Sequence, residues 1–537
     1  MIERLGKSLT RWFERYMPDP FVLAIVLTFV VFAAALTQTL AQGGPTAWYE
    51  RVIVLFSAWK SYLFEPKLAT GRVDFSLLYF AFQMCLMLVT GYALADARPV
   101  HRMIERVAAF PKDSPTAAAM VAFVACCAAL LHWGLGVVIG ALLAKEVARQ
   151  GRKNGIAMHY PLLGAAGYTA LLIWHGGLSG SIPLKATKGI PAASIAPILK
   201  SDTLFSSLNI LLSVLMLAAI PLFCYLLHPK ERDRYVPYDP ARNPEDTPSD
   251  ADETATIVDA TTRSRGLALI GTLLATWILR RGSSSALDGT RIGLLAANAI
   301  LLYLVLHVSL RLLITAWRRP QAERHSTLPK ALANSRLFTL VLAWLGLGIL
   351  QIEIATGKAV FGFNLLNFSF LFLGILFQET PRRYVGAVVR GTASCSGIIL
   401  QFPFYFGILG LMRVSGLAES LTHALASIST ATTYPVVTFF SAGIVNLFVP
   451  SGGGQWVVQG EIVIKGAQKL MVSGHTDLVG RSVMALAYGD AWTNMLQPFW
   501  AIPLLAITGL RAQEIIGYSA ALMLFSGALT IIGLLVF

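Results

Sequence analysis

Long apolar runs, separated by short polar stretches, dominate the pattern of this chain. Runs that reach the ~20 residues needed to cross a bilayer as a helix occur at 21–41, 75–95, 204–227, 291–316 and 518–537. A polar stretch rich in Asp, Glu, Pro and Thr covers 229–264, and we expect it to be a solvated, flexible loop. The pattern predicts an all-α polytopic membrane protein.

The apolar runs fall into two halves with the same plan: a span, a second span, a doubled apolar segment, a span broken by polar residues, and a last span. In the first half these lie at about 20–42, 75–95, 115–148, 159–184 and 204–228, and in the second half at about 361–378, 385–412, 432–470, 480–508 and 515–537. We therefore divide the chain into a first repeat (1–228), a cytoplasmic acidic loop (229–264), middle spans (265–355) and a second repeat (356–537).

Each doubled segment is predicted to be a re-entrant helical hairpin with both ends on one face of the membrane. In the first, short apolar arms at 116–131 and 137–147 flank the tip at 132–136. Lys and Arg lie on both sides of this hairpin, which places its ends, and by counting spans the N-terminus, in the cytoplasm. Three middle spans at about 265–282, 291–316 and 337–355 would make the halves inverted repeats, a layout common in secondary transporters.

The second hairpin carries the most informative stretch, Pro450-Ser451-Gly452-Gly453-Gly454-Gln455-Trp456. Backbone amides in hydrocarbon must be satisfied internally, so a non-helical run of three glycines is expected only where protein buries it or where it lines a watery cavity. Glycine also lets main-chain N–H groups approach a small anion closely. The stretch therefore predicts a solute site within the membrane.

The span after each hairpin is broken in a similar way. Polar or glycine-rich runs, HGGLSGSIP at 175–183 and GDAWTNMLQP at 489–498, each end in a proline that removes a helical hydrogen bond. The distance from Gly136 to Pro183 is 47 residues and that from Gly454 to Pro498 is 44, which supports a repeat. Two tips and two breaks predict one central site, where half-helix N-termini favour a carboxylate and unwound carbonyls favour a cation such as Na⁺.

Asp490 is the sharpest single candidate, because an isolated carboxylate within a span is costly and usually functional. We expect it to take part in coupling to Na⁺ or H⁺, with Asn494 beside it for Na⁺, and a structural pairing with Arg481 is the alternative. No resident cofactor or other metal is expected. The residues predicted to bind a small carboxylate are His132, Gly134, Gly136, His175, Ser179, Ser181, Asn446, Ser451, Gly452, Gly453, Gly454, Gln455, Trp492, Thr493 and Asn494.

Each of these candidates also has a structural interpretation. Polar side chains within spans often join helices by hydrogen bonds. His132 and His175 match no zinc motif and have no carboxylate near them in sequence, so packing is their alternative. One tryptophan lies at each break, and the four either line a shared apolar cavity or pack: Trp133, Trp174, Trp456 and Trp492.

Composition supports the membrane class and excludes others. Hydrophobic residues make up 55% of the 537 positions and charged residues 13%, about half of the ~25% usual in soluble domains. The net charge of +14 is typical of a membrane protein whose cytoplasmic loops collect Lys and Arg, and no basic stripe with interleaved aromatics indicates nucleic-acid binding. The five cysteines lie in or beside apolar runs without metal-ligand spacing, so we interpret them as packing residues.

Four stretches together resemble the bacterial short-chain fatty acid transporter family (AtoE-type) of the ion transporter superfamily. They are VNLFVPSGGGQWVVQG at 445–460, the break at 489–498, and residues 399–407 and 11–22. The resemblance covers about 1–228 and 330–537, whereas we expect residues 230–330 to depart from the family pattern with an acidic loop and about two extra spans.

The resemblance implies an ion-coupled carrier in the inner (cytoplasmic) membrane that takes up short-chain fatty acids such as butyrate or acetoacetate. In that superfamily a transport domain of hairpins and broken helices moves against a scaffold that often forms a homodimer. The implied site residues are 132–136, 175–181, 451–455 and 490–494. Two alternatives stay open: a carrier of another small organic anion, such as a dicarboxylate or amino-acid conjugate, and a membrane-embedded acyl-handling enzyme. Against dicarboxylates, no Arg or Lys occurs within the four breaks.

Overall fold

A computed structural model describes residues 20–43, 47–64, 67–69, 72–74, 76–190, 195–242, 303, 306, 310, 328–355, 363–392, 395–448, 452–471 and 477–537. These residues are almost wholly helical. The exception is a short antiparallel hairpin of strands, β1 (Lys67–Ala69) and β2 (Arg72–Asp74), in which Leu68 lies opposite Val73.

The helices of the first half are α1 (Pro20–Ala41), α2 (Trp48–Phe64), α3 (Ser76–Ala95), α4 (Arg98–Ala108), α5 (Ser114–Leu131), α6 (Trp133–Lys153), α7 (Tyr160–Tyr168), α8 (Ala170–Ile173), α9 (Ser181–Ala186) and α10 (Ser207–Leu227). Those of the second half are α11 (Leu328–Ala333), α12 (Arg336–Ala355), α13 (Phe363–Gln378), α14 (Pro381–Thr392), α15 (Ser396–Val414), α16 (Leu417–Ala426), α17 (Tyr434–Asn446), α18 (Gly452–Leu470), α19 (Leu478–Thr493), α20 (Pro498–Thr508) and α21 (Ala512–Val536). Short 3₁₀ turns at Trp174–Gly176 and Asn494–Leu496 follow α8 and α19.

Several of these helices can cross a membrane, which confirms the predicted class. Among the described residues, six are long and apolar enough: Ala24–Ala41, Ser114–Leu131, Ser207–Leu227, Arg336–Ile354, Ser396–Val414 and Ala512–Val536. The outer face of α10 exposes Ile210, Val214 and Leu222, as expected for a surface that meets lipid. The spans predicted at 265–282 and 291–316 lie outside the described residues, apart from three isolated positions.

The chain forms two compact units. Unit 1 comprises Met1–Met84, Ile104–Arg242 and Ser394–Phe537, and unit 2 comprises Cys85–Met103 and Asn243–Ala393. Unit 1 therefore contains both helical hairpins and both broken helices. Unit 2 contains parts of α3 and α4 together with α11 to α14.

Unit 2 has its own apolar core, which includes Leu340, Leu347 and Leu376. At its polar edge, Glu379 pairs with Arg336 at 3.3 Å, and Asp96 pairs with Arg390 at 2.6 Å.

The span predicted at 385–412 is wrong, because α14 ends at Thr392 and α15 begins at Ser396. Helix α14 is amphipathic: Arg382, Arg383 and Arg390 give it a charged face.

In unit 1, α5 and α6 form the first helical hairpin. Its arms are longer than the sequence suggested, since only His132 has an extended backbone between them. The predicted tip at 133–136 is therefore wrong in its conformation, because these residues form the first turn of α6.

The glycines of α6 allow close helix packing. A Cβ on Gly136 would come within 2.6 Å of the Ala129 Cβ, and one on Gly140 within 2.6 Å of the Gly167 carbonyl oxygen. Small residues at such contacts let helices in apolar surroundings approach closely and gain packing energy.

The second hairpin, α17 and α18, corrects the expectation that three glycines form a non-helical tip. Gly452, Gly453 and Gly454 are the first residues of α18. The first N–H groups of a helix have no carbonyl within the helix to donate to, so they point out of its N-terminal end although the residues are helical. Ser451 lies outside the described residues.

Two further expectations fail near the ends of the spans. The helix α2 was not predicted, because Glu50, Arg51 and Lys60 interrupt its apolar run. The first part of the predicted flexible loop, residues 229–242, is packed: Tyr238 is buried, and the Tyr160 N–H donates to the Val236 carbonyl at 2.9 Å. The segment 229–242 carries aromatic side chains that can be buried, which explains why it packs instead of remaining solvated. Residues 243–264 lie outside the described part.

We expect Gly167→Ala to destabilise unit 1, because the added Cβ would lie 2.7 Å from the Gly140 carbonyl oxygen, which belongs to a neighbouring helix backbone. Overpacking of this kind costs about 1–3 kcal/mol. Thermal unfolding in detergent measures the effect as a lower Tm. Gly348→Ala, in a helix where a Cβ meets nothing within 4 Å, is the matched control and should unfold no earlier than the wild type. Equal Tm values for the two variants would contradict the close packing.

Candidate functional site

The two broken helices meet through a buried, hydrogen-bonded histidine–aspartate pair. His175, in the 3₁₀ turn of the first break, places Nε2 2.8 Å from Oδ2 of Asp490 in α19, and neither side chain is more than 1% exposed. The sequence analysis found no carboxylate near His175 because Asp490 is distant along the chain. Its alternative for Asp490, a pairing with Arg481, is not what the structure shows, since the Arg481 guanidinium donates to the Leu534 carbonyl at 2.8 Å.

The N-terminus of α18 lies against this pair. A Cβ on Gly452 would come within 2.5 Å of Ser181 Oγ and 2.7 Å of His175 Nε2, so glycine alone fits here. Next to it, Lys185 of α9 donates to the Gly453 carbonyl at 3.0 Å. The second hairpin tip and the first break therefore converge within a few ångströms of the His175–Asp490 pair.

Asn446, the last residue of α17, holds the second break together. Its side-chain NH₂ donates to the Asp490 carbonyl at 2.7 Å, to Asn494 Oδ1 at 2.8 Å and to Thr493 Oγ1 at 3.0 Å. The Gln497 amide in turn donates to the Asn446 carbonyl. The predicted residues Asn446, Thr493 and Asn494 are thus brought together as one network.

Gln455, in the first turn of α18, also joins two elements by hydrogen bonds. Its NH₂ donates to the Ala442 carbonyl at 2.7 Å and to Gln459 Oε1 at 2.9 Å. The Gln459 amide continues to Ser441 Oγ at 3.1 Å. This chain of hydrogen bonds fastens the two arms of the second hairpin to each other.

Sequence reasoning missed two residues that satisfy carbonyls at the breaks. The Tyr168 hydroxyl of α7 donates to the carbonyls of Asn494 (2.7 Å) and Gln497 (2.9 Å), and the Asn209 amide of α10 donates to the Gly176 carbonyl at 2.9 Å. A polar residue within an apolar helix was the available signal, but it did not indicate which carbonyl the side chain would reach.

At the first hairpin tip, the predicted residues mainly hold the hairpin to the first break. The Trp133 N–H donates to Ser179 Oγ at 3.1 Å, and the Gly134 N–H donates to His132 Nδ1 at 3.1 Å. His132 therefore caps α6 with its own side chain. The amides of Trp133 and Gly134 therefore already have acceptors here.

The tryptophans of the four breaks do not share one cavity. The rings of Trp133 and Trp174 lie 6.3 Å apart, whereas Trp456 packs in a separate cluster with Ile182. Trp492 donates to the Met523 carbonyl at 2.6 Å and lines a mostly apolar cleft with an empty volume of about 360 Å³.

Several buried polar atoms of the site have no hydrogen-bond partner among the described residues. The potential donors are Trp174 Nε1, Ser181 Oγ, Asn494 Nδ2 and, when protonated, His175 Nδ1; the acceptors are Asn446 Oδ1, Gln455 Oε1, Asp490 Oδ1 and Gln497 Oε1. Unpaired buried polar atoms are costly, so such a group of atoms indicates a place where a polar ligand binds. Within the described part of the chain, no group of three or more His, Cys, Asp or Glu side chains could hold a metal ion.

Comparison with known proteins identifies the family. The family model described as short chain fatty acid transporter matches residues 1–311 and 315–537. A protein of Escherichia coli K12 named "Putative short-chain fatty acid transporter" is 33% identical over 545 residues and is covered completely, as is this chain. A Haemophilus influenzae protein of the same name is 31% identical, with 99% of each chain covered.

The chain belongs to the short-chain fatty acid transporter family. It is therefore a transporter and not an enzyme, and its apolar helices make it a multi-pass membrane protein. The expected departure of residues 230–330 from this family is wrong, because the match includes that region almost entirely. A crystal structure of the Alcanivorax borkumensis YdaH transporter aligns over 97% of both chains, with a TM-score of 0.41 and 15% identity.

We expect Gly452→Ala to reduce transport strongly, because its Cβ would displace the tip of α18 from Ser181 and His175. A displacement of about 1 Å in a preorganised site costs about tenfold or more in rate. Uptake by vesicles that contain equal amounts of protein measures the loss. Gly386→Ala is the control, since its Cβ approaches only the flexible end of Arg390 at 3.6 Å. Unchanged uptake by Gly452→Ala would show that the N-terminus of α18 is not part of the site.

Proposed function

We propose that this protein is a secondary active transporter that carries short-chain monocarboxylates, such as butyrate or acetoacetate, together with an ion by alternating access. One observation carries the proposal: the N-terminus of α18 lies directly against the buried His175–Asp490 pair. An anion-binding element and a titratable pair in contact, inside an apolar protein, are the two parts that an ion-coupled anion carrier needs.

The carboxylate would bind where donors converge. The first amides of α18 and the positive end of its dipole favour an anion. The Ser181 hydroxyl lies beside Gly452, and the Asn494 amide adds a further donor without a partner among the described residues. These donors suit one carboxylate group.

The elements repeat in an order that supports alternating access. An apolar helix, a short helix, a hairpin, a broken helix and a long helix follow each other in α3 to α10 and again in α15 to α21. Inverted repeats with re-entrant hairpins, a scaffold and a moving domain would exchange the two access states.

We place the protein in the inner membrane with its N-terminus in the cytoplasm, and the charges that flank the first hairpin support this orientation. Glu105 of α4 pairs with Arg149 of α6 at 3.2 Å, so the segment entering the first hairpin and the segment leaving it lie at the same level. Both segments are rich in Arg, as is usual on the cytoplasmic side.

A carrier of dicarboxylates is the second candidate, and Lys185 is the observation that favours it. The sequence offered no cation within the breaks, but the fold brings Lys185 to the Gly453 carbonyl. A second carboxylate could pair with this ammonium group once it leaves that carbonyl.

We expect purified protein in liposomes to take up labelled acetoacetate when a pH or Na⁺ gradient is imposed. Unlabelled butyrate should compete, and succinate should compete at least about tenfold less well, because a second buried carboxylate costs several kcal/mol unless it is paired. Protein-free liposomes correct for passive entry of the neutral acids. Equal competition by succinate would support the dicarboxylate carrier, and no protein-dependent uptake of any short-chain monocarboxylate would refute the proposed function.

A further inference from the structure

We infer that the His175–Asp490 pair is the site that binds the coupling proton, so that one proton crosses with each monocarboxylate. The inference rests on the proposed transport function and names its coupling ion. Its basis is geometric: the two side chains are buried, they are 2.8 Å apart, and the anion-binding end of α18 lies against the same imidazole ring.

Donor and acceptor chemistry indicates how a proton would help the substrate. When Asp490 is ionised its oxygens only accept, so His175 Nε2 is the donor of the hydrogen bond between the two side chains. His175 Nδ1 then carries a hydrogen only when the ring is cationic. Nδ1 has no hydrogen-bond partner among the described residues, and neither does Asp490 Oδ1. A proton taken up on Nδ1 therefore creates a new donor for a carboxylate on the ring that Gly452 and Ser181 adjoin.

Charge sets the order of binding. Without the proton the pair carries one negative charge, and a second anion beside it would be repelled strongly in a region shielded from water. With the proton the pair is neutral and can accept the substrate carboxylate. The loaded site then carries the same single negative charge as the empty, unprotonated site. Transport by the two forms is therefore electroneutral, and the proton leaves the pair when the carboxylate leaves.

The other charged groups near the pair have partners of their own. Lys185 donates to the Gly453 carbonyl, Arg481 to the Leu534 carbonyl, Glu461 pairs with Lys465, and Glu514 with Arg511, while Lys469 is exposed. His132, at the first hairpin tip, accepts from the Gly134 amide. The remaining titratable groups on the elements packed against the pair are tyrosines and cysteines, which are ordinarily neutral: Cys126, Cys127, Cys224, Tyr225, Tyr434, Tyr488 and Tyr518. The His175–Asp490 pair is therefore the buried group whose charge can change when a proton binds or leaves.

Several oxygens of the second break that a sodium ion could use already accept hydrogen bonds. The Asn446 NH₂ donates to the Asp490 carbonyl, Thr493 Oγ1 and Asn494 Oδ1. The Tyr168 hydroxyl likewise donates to the carbonyls of Asn494 and Gln497. A sodium ion would have to rely on oxygens without a partner among the described residues, Asn446 Oδ1, Asp490 Oδ1 and Gln497 Oε1, so the experiment below includes a Na⁺ gradient.

Proteoliposomes test the inference with labelled acetoacetate, which is more polar than butyric acid and crosses bilayers less readily unaided. At zero membrane potential, a pH difference of about one unit should drive about tenfold accumulation if one proton moves with each anion. A Na⁺ gradient at equal pH should drive none. Asp490→Asn should lose this accumulation and yet exchange labelled for unlabelled acetoacetate, because its site lacks the carboxylate charge and can take up the anion without first binding a proton. Glu461→Gln makes the same chemical change at a surface pair and should behave as the wild type.

A second measurement does not depend on a variant. Acetoacetate binding to the solubilised wild type in weak buffer should remove protons from the medium at some pH between about 5 and 8. Accumulation driven by Na⁺, proton-driven accumulation by Asp490→Asn, or binding without proton uptake across this range would overturn the proton site while leaving the transport function intact. Loss of exchange in Asp490→Asn together with proton uptake by the wild type still supports the site. Wild-type protein that neither accumulates nor exchanges any short-chain monocarboxylate would refute the proposed function itself.

Discussion

Hydrocarbon offers no hydrogen-bond partner, so polar groups inside this protein have to be satisfied by other parts of the protein or by a bound ligand. The interrupted helices create this requirement, because each interruption frees backbone carbonyls and amides. Side chains of distant elements meet much of it: the Tyr168 hydroxyl donates to two carbonyls of the second break, and the Asn209 amide donates to one of the first. The Asn446 amide contacts three acceptors. These contacts hold both breaks in place within unit 1.

The same constraint makes the two broken helices depend on each other. His175 belongs to the first break and Asp490 to the second, and neither could be buried as a charged group alone. Removing one partner of such a pair costs more than the pair contributes, because the other is left without compensation. The pair therefore fixes one break against the other and also provides a group whose charge can change. On our proposal, structural stability and ion coupling depend on the same two residues.

Close approach of the backbone is the second requirement of the site. Gly452 is needed because Ser181 and His175 fill the space where a side chain would be, and Gly140 and Gly167 are needed where α6 meets α7. The first case brings amides to the buried His175–Asp490 pair, whereas the second only brings two helices together. Glycine has the same freedom at both positions, and its surroundings alone decide whether it serves binding or packing.

The sequence by itself determined the class of this protein and the places of both hairpins and both broken helices, and it singled out Asp490 as a candidate, because apolar length and isolated polar residues are local properties. It also pointed to the family, through the glycine-rich stretch that begins α18. The sequence pattern did not predict α2, because charged residues interrupt its apolar run, and it led us to expect that the three glycines are non-helical. Only the tertiary structure decided that His175 is the partner of Asp490, that Asn446 occupies the oxygens of the second break, and that Lys185 reaches the Gly453 carbonyl. These contacts join residues far apart along the chain, and the partner of a buried polar group depends on which helices pack together, which no local pattern records.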